Sequence, residues 1–399
     1  MQNADRKPTR DPAASQPRSA PRRRLDGLQA LRFIAAALVV VAHAESRLAR
    51  TFPEAASQTL VFEVGDIRHW GHWGVDLFFA ISGFIMFWVT RGTFQRPGAV
   101  RSFLTKRTLR IVPIYWLLTA FSVLLLAVAP SLFSYRGSMD VGWILASFAF
   151  IPWAAPEGFV APVLGLGWTL NYEMYFYLCF ALMLLLPEKR AIWVISAFFL
   201  GSATLGAFVD LGSPWGRQAT SWLLLEFAAG MWVGKLYVSG LELRRPMAIV
   251  GPLALLVLAG TIFHNPAPDA AAQVDNGGRL LLWGIPSAAL LLWVLVSNWS
   301  PRDSRVGRIA VVLGDASYSI YLLQVFALPG VALVFRKLGV NRWVAFDLQV
   351  LLLAAVSIGL GYVFFKCVEQ PLSRRLTRGV RSAASGPVAA RPVSLARVQ

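Results

Sequence analysis

The chain has 399 residues, 56% hydrophobic and 15% charged, with a formal net charge of +17. So apolar a composition excludes an ordinary soluble domain. The basic residues are spread over short segments between apolar runs, which argues against a nucleic-acid surface and for positive-inside membrane topology.

Residues 1–24, rich in Arg, Pro, Ala and Ser, are expected to form a disordered basic N-terminus. Ten runs then approach the roughly 20 apolar residues that a helical span needs. They are read at about 28–46, 73–91, 109–130, 163–186, 191–209, 219–237, 247–263, 279–298, 309–328 and 345–366. The fold class is therefore an all-α integral membrane protein of about ten transmembrane helices. The stretch 141–153 is too short to span and reads as re-entrant or interfacial. A tail from 377 to 399 is expected to be disordered. With both termini inside, the basic segments 91–110, 187–190, 238–246 and 299–308 fall on the inner side. The outer loop bearing Arg336, Lys337 and Arg342 is an exception.

The first run, RFIAAALVVVAH, holds Arg32 and His43. Eleven positions complete about three turns at ~3.6 residues per turn, so both share a helix face, roughly 16 Å apart along the axis. Ionisable groups inside a membrane face a protein interior or a water-filled path. A signal peptide cleaved after Ala42-His43-Ala44 is the competing reading, but Arg32 interrupts its apolar core.

The second run, GHWGVDLFFAISGFIMFWVT, places Asp76 near its outer end. There it can meet His43 and fix its tautomer, or remain interfacial, or pair with His72. His69 and His72 are accessory. Next comes RGTFQRPGAVRSFLTKRTLRIVPIYW, with six basic residues and no acid before Ile111. Arg107 and Arg110, three apart, share a face. Arginine forks suit phosphate, so this segment serves either as a topology anchor or as a dock for a phosphorylated ligand.

The fourth run, in GLGWTLNYEMYFYLCF, holds Glu173, which is either functional or a lock between helices. Trp168, Tyr172, Tyr175 and Tyr177 offer aromatic faces beside it. Asp315, Ser317, Tyr318, Tyr321 and Gln324 fall on the ninth run, and Lys366, Glu369 and Pro371 close the last one. Cys179 and Cys367 lie at different apparent positions, so no disulfide is expected.

Together these segments resemble the acyltransferase 3 family of membrane proteins, over nearly all of 25–376. The likeness is carried by LDGLQALRFIAAALVVVAH with its Arg32 and His43, by GVDLFFAISGFIM, by KRTLRIVPIYW with Arg107 and Arg110, by GWTLNYEMYFY from Trp168 to Glu173, and by DASYSIYLLQ and VEQPL. One position departs: Gln324 stands where the family commonly has His, so proton transfer is unavailable there although hydrogen bonding survives. The resemblance implies an O-acyltransferase of the bacterial inner membrane, and the early end of the chain points to stand-alone members such as the exopolysaccharide acyltransferases.

The resemblance also implies the substrates. The donor is acyl-CoA, with acetyl-CoA the expected form, and the acceptor is a hydroxyl of exopolysaccharide, lipopolysaccharide or a lipid-linked sugar. Arg32, Arg107 and Arg110 are expected on the donor. His43 is expected as general base, oriented by Asp76 or Glu173, with direct transfer and an acyl-His43 intermediate both open. Trp168, Tyr172, Tyr318 and Gln324 are expected on the acceptor side. No metal or bound cofactor is expected. Besides the lipid bilayer, polysaccharide-assembly proteins are candidate partners. The alternative of another class is a transporter or flippase using Arg32, His43, Asp76 and Glu173 as a polar path.

Overall fold

The computed structural model describes residues 25–56, 70–129, 139–239, 242–263, 277–297 and 299–384. Helices α1 (Asp26–Thr51), α2 (Trp73–Thr90) and α3 (Ala99–Val128) open the bundle. A short α4 (Val141–Phe148) precedes α5 (Trp168–Met183), α6 (Glu188–Phe208) and a second short helix, α7 (Pro214–Ala219). Then follow α8 (Leu224–Val238), α9 (Arg244–Gly260) and α10 (Gly277–Val296). The chain closes with α11 (Arg305–Asp315), α12 (Ser317–Leu338), α13 (Phe346–Phe364) and α14 (Gln370–Ala384).

Seven of the described helices are long and apolar enough to cross a membrane. Three further expected spans form α5, α8 and α9, of 16, 15 and 17 residues. At ~1.5 Å per residue each falls short of a hydrocarbon core of about 30 Å. The 3₁₀ turn Gly165–Gly167 lengthens α5. The segment 141–153 forms only the eight residues of α4, whose first turn is capped by Asp140 accepting from the Trp143 N–H at 2.5 Å.

Two boundaries differ from expectation. The ninth run is not one helix over 309–328. The chain leaves the helix at Ala316, so α11 and α12 are separate and the long helix is Ser317–Leu338. Gly314 lies so close to the Gln29 carbonyl that a Cβ would sit 1.9 Å from it, so the turn is fixed by packing on α1 and not by hydropathy. The expected disordered tail also starts too early, since α14 continues to Ala384.

Helix α1 is central, packing against α2, α11, α12 and α13. Its cleavage at Ala44 would remove that centre. Residues without side-chain bulk set the closest approaches. At Gly83 a Cβ would lie 1.9 Å from the Phe227 carbonyl, and at Gly230 equally near that of Ala80, so α2 and α8 touch backbone to backbone. Gly74 seats α2 on Ala35 and Val39 of α1. Cys179 and Cys367 are both free thiols.

Candidate functional site

A cavity of about 860 Å³ runs between α1, α2, α3, α5 and the α11–α12 turn. Its walls follow α2 from Val75 to Val89, fourteen positions, or about 21 Å at ~1.5 Å per residue. One end is basic: Arg91, Lys106, Arg107 and Arg110 line it, with Arg32 deeper. Asp26, Asp315 and Glu173 are the acids on the same wall. The cavity therefore unites the three expected donor-side arginines with Glu173 and Tyr318.

Each arginine is held differently. Arg32 donates to Gln29 Oε1 at 3.1 Å, one turn back on its own helix. It also lies within electrostatic reach of Arg110, Glu369, Asp315 and Glu173. Glu369 is itself fixed by the Ser319 hydroxyl at 2.5 Å. Arg107 lies 5.8 Å from the Phe103 ring centre, and its buried Nε has no hydrogen-bond partner. A buried cationic donor left unmatched is costly and suits an anion that enters from outside. Arg110 is exposed at the cavity.

Glu173 accepts from the Ser82 hydroxyl at 2.9 Å and from the Tyr177 hydroxyl. Ser82 is eight residues past Gly74, so this cluster lies about 12 Å along α2 from the Gly74–Val39 contact. His43 is one turn beyond Val39 in the other direction. Glu173 therefore does not orient His43.

Nor does Asp76. Its carboxylate takes both Arg279 Nε and a terminal nitrogen at 2.9 Å, in a fork-to-fork pair whose side chains are 0% and 3% exposed. Asp76 joins α2 to the start of α10 and is neither His43's partner nor His72's. Instead, His43 Nδ1 donates to the Val39 carbonyl at 2.9 Å, and its ring meets that of His72 edge-on, 5.0 Å between centres. A carbonyl oxygen only accepts, so this bond needs the proton on Nδ1, and in the neutral ring Nε2 is then the acceptor. The backbone sets the tautomer that a carboxylate was expected to set. His69 lies outside the described residues.

His43 does not line the cavity. The cavity ends at Val75, Phe78, Thr169 and Tyr321, and Val75 packs in one cluster with Val39. On α1 the lining reaches no farther than Arg32, eleven residues or roughly 16 Å along the helix from His43, while on α2 it reaches Val75, beside the Gly74–Val39 contact. Tyr321 lines this end, with its hydroxyl 3.0 Å from Thr169 Oγ1 and 3.3 Å from the Leu166 carbonyl, and its ring against Phe78.

The expected acceptor group is scattered. Tyr318 belongs to the basic cavity, where its hydroxyl donates to the Ile111 carbonyl at 2.8 Å. Gln324 is buried outside it, donating to the Tyr321 carbonyl at 2.9 Å. Trp168 packs edge-on against Tyr172 at 5.8 Å. Tyr172 lines a separate cavity of about 310 Å³ at the far ends of α6 and α8.

A family model described as an acyltransferase domain matches residues 25–366, most of the chain. The chain belongs to the acyltransferase 3 family. It is 34% identical over 307 residues to the exopolysaccharide production protein ExoZ of Rhizobium meliloti, covering 76% of this chain and 89% of that protein. It is 26% identical over 382 residues to the acyltransferase MdmB of Streptomyces mycarofaciens, covering 89% and 93%. No solved structure matches it significantly.

As a member of that family the protein is a multi-pass membrane O-acyltransferase, which sets aside the transporter reading. Sequence reasoning missed Arg279 as Asp76's partner. The available signal was an arginine at the outer end of the eighth apolar run, at the depth assigned to Asp76. Ser82 gave no such signal, because a serine between apolar residues is common in buried helices.

Proposed function

We propose that this protein moves an acyl group from cytosolic acyl-CoA, with acetyl-CoA the expected form, to a hydroxyl of a cell-surface carbohydrate. The carrying observation is the long cavity, basic at one end and, at the other, reaching along α2 to Val75, beside the stretch of α1 that leads to His43. The donor's phosphates bind at the basic end, where Arg107 keeps a free donor and Arg110 faces solvent. Its narrow arm extends along α2, past Arg32 and Glu173. The thioester comes to rest under Tyr321 and Thr169.

The acceptor approaches from the opposite side of the membrane. Its oxygen attacks the thioester carbonyl as His43 Nε2 takes the hydroxyl proton. A C–O bond forms, the C–S bond breaks, and the CoA thiolate leaves toward the cytosol, where it is protonated. Val39 holds the imidazole in the required tautomer throughout. Glu173 balances the charge of the arginine-rich wall, and Asp76 with Arg279 clamps α2 to α10. A carbohydrate acceptor is favoured by the exopolysaccharide production relative, which covers three quarters of this chain. The same reading places both termini in the cytoplasm of a bacterial inner membrane, with polysaccharide-assembly proteins as neighbours.

The test is transfer of label from [acetyl-¹⁴C]acetyl-CoA to polysaccharide in membranes containing the full chain. Label in the polysaccharide, released by mild base as an ester would be, supports the proposal. Label that stays in the donor or in lipid at every donor concentration overturns it.

A further inference from the structure

The second cavity has no part in donor binding. About 310 Å³ in volume, it is framed by Tyr172 of α5, Trp222 before α8, and the turn that carries α7. It lies at the end of the bundle away from the basic residues of the large cavity. That volume is at the lower bound of small-ligand sites, roughly 300–1,000 Å³.

Its chemistry is two-sided. Tyr172 and Trp222 present aromatic surface. In the same lining, Asp210, Arg217, Gln218 and Thr220 present charged and amide groups and a hydroxyl. The polar side is built in place. Ser213 accepts from the Gly216 N–H at 3.0 Å and starts α7. Gln218 is buried, with its amide on the Asn171 carbonyl at 3.3 Å. The Gly212 N–H, 2.9 Å away, and then the Arg217 guanidinium hold the Asp210 carboxyl below the usual carboxylate range. Arg217 is matched by Asp210 at 3.3 Å, so the cavity carries no surplus charge for an anion. A hydrocarbon chain would strand the ion pair and the amide. What fits both sides is a neutral ring with hydroxyls on its edge and C–H groups on its face, which is a sugar.

An aromatic contact links the walls of the two cavities. Phe79 lines the large one, Tyr172 lines the small one, and their rings meet at 6.1 Å. Beside Tyr172, the buried Asn171 Oδ1 has no hydrogen-bond partner.

We propose that this second cavity is a carbohydrate subsite, holding a sugar of the acceptor that does not itself react. It rests on the acyl-transfer reading for the identity of the acceptor. It fixes the register of the polysaccharide, so that a hydroxyl on another residue reaches His43. Tyr172 and Trp222 cover the sugar's face, and Asp210, Arg217 and Gln218 bind its edge.

The probe is polysaccharide purified from a strain lacking this protein, titrated without donor against the full chain in nanodiscs. Wild type should bind, Trp222→Ala should weaken binding about tenfold, and Trp222→Phe should restore most of it, as expected for one lost aromatic face. The double variant Asp210→Ala with Arg217→Ala alters only exposed side chains and should weaken binding similarly. In turnover, these variants should raise the acceptor KM about tenfold while the acetyl-CoA KM stays within twofold. Unchanged acceptor KM in both variants overturns the subsite, as does an equal rise in donor KM. If wild type transfers no label from acetyl-CoA, the donor assignment fails, while the donor-free titration still decides the subsite.

Discussion

His43 is set by its own backbone. The Val39 carbonyl, four residues back, accepts a hydrogen bond from Nδ1–H, and the ring meets that of His72 edge-on. His43→Ala should therefore abolish acyl transfer without loss of membrane insertion. General-base catalysis is typically worth about 10²–10⁴-fold, and residual turnover should fall by that factor or more. His43→Gln retains a hydrogen bond but no base, and should be nearly as inactive. Acetyl transfer at matched protein levels checks both, and robust labelling by His43→Ala would remove the base from this position. Arg107 makes a different prediction. Its unmatched buried Nε points to a phosphate contact, and a charge-assisted hydrogen bond is worth about 1.5–3 kcal/mol. Arg107→Ala should raise the acetyl-CoA KM by about 10- to 150-fold with the acceptor KM unchanged, and Arg107→Lys should recover part. A variant that matches wild type at limiting donor would make Arg107 a topology anchor only.

Asp76 shows how element packing can claim a residue that its position suggests for chemistry. An acid near the outer end of α2, at the depth expected of His43, looked available to that histidine. The partner came instead from α10, more than two hundred residues away in sequence, which no local pattern relates to α2. Arg32, His43 and Glu173 were legible because charge in an apolar run is costly and demands a reason, and Arg107 and Arg110 because six basic residues and no acid precede Ile111. Which groups meet was not legible, since that depends on helix rotation and on close approaches at Gly83, Gly230 and Gly314. The break at Ala316 falls in the polar stretch from Gly314 to Ser319, which reads as part of one span. Removing one partner of a buried ion pair typically costs about 3–5 kcal/mol. Asp76→Ala should thus shorten the half-life of the detergent-solubilised protein on heating, as read by fluorescence-detected size exclusion. Surviving enzyme should keep its pH dependence of kcat, because His43 is untouched. A stable Asp76→Ala protein with an altered pH profile would instead return Asp76 to the chemistry.

At the scale of the whole molecule, the two cavities give the protein two chemically distinct ends. The basic end carries Arg91, Lys106 and Arg110, and the segments near Arg244, Arg245, Arg302 and Arg305 add charge around other helices. The opposite end carries the smaller cavity, His43 with His72, and the turn from 209 to 223. Positive residues in short loops favour the cytoplasm, so the donor mouth should face inward and the His43 end outward. Arg336, Lys337 and Arg342 oppose this at one outer loop, and Arg47, Arg50 and Arg68, at and after the outer end of α1, oppose it at another. Reporter fusions should therefore read cytoplasmic at Gly98 and Ser304, and extracytoplasmic at Asp140 and Gly212. Cysteines introduced at the same four positions should divide in the same way toward an impermeant maleimide, in a background lacking Cys179 and Cys367. The orientation matters for the proposed reaction, which takes its acyl group from cytosolic acyl-CoA and delivers it to a glycan outside. If Gly212 and Gly98 read on the same side, the smaller cavity would share a compartment with the donor mouth. Transfer across the membrane would then fail as a description of this enzyme, even with acyl transfer itself intact.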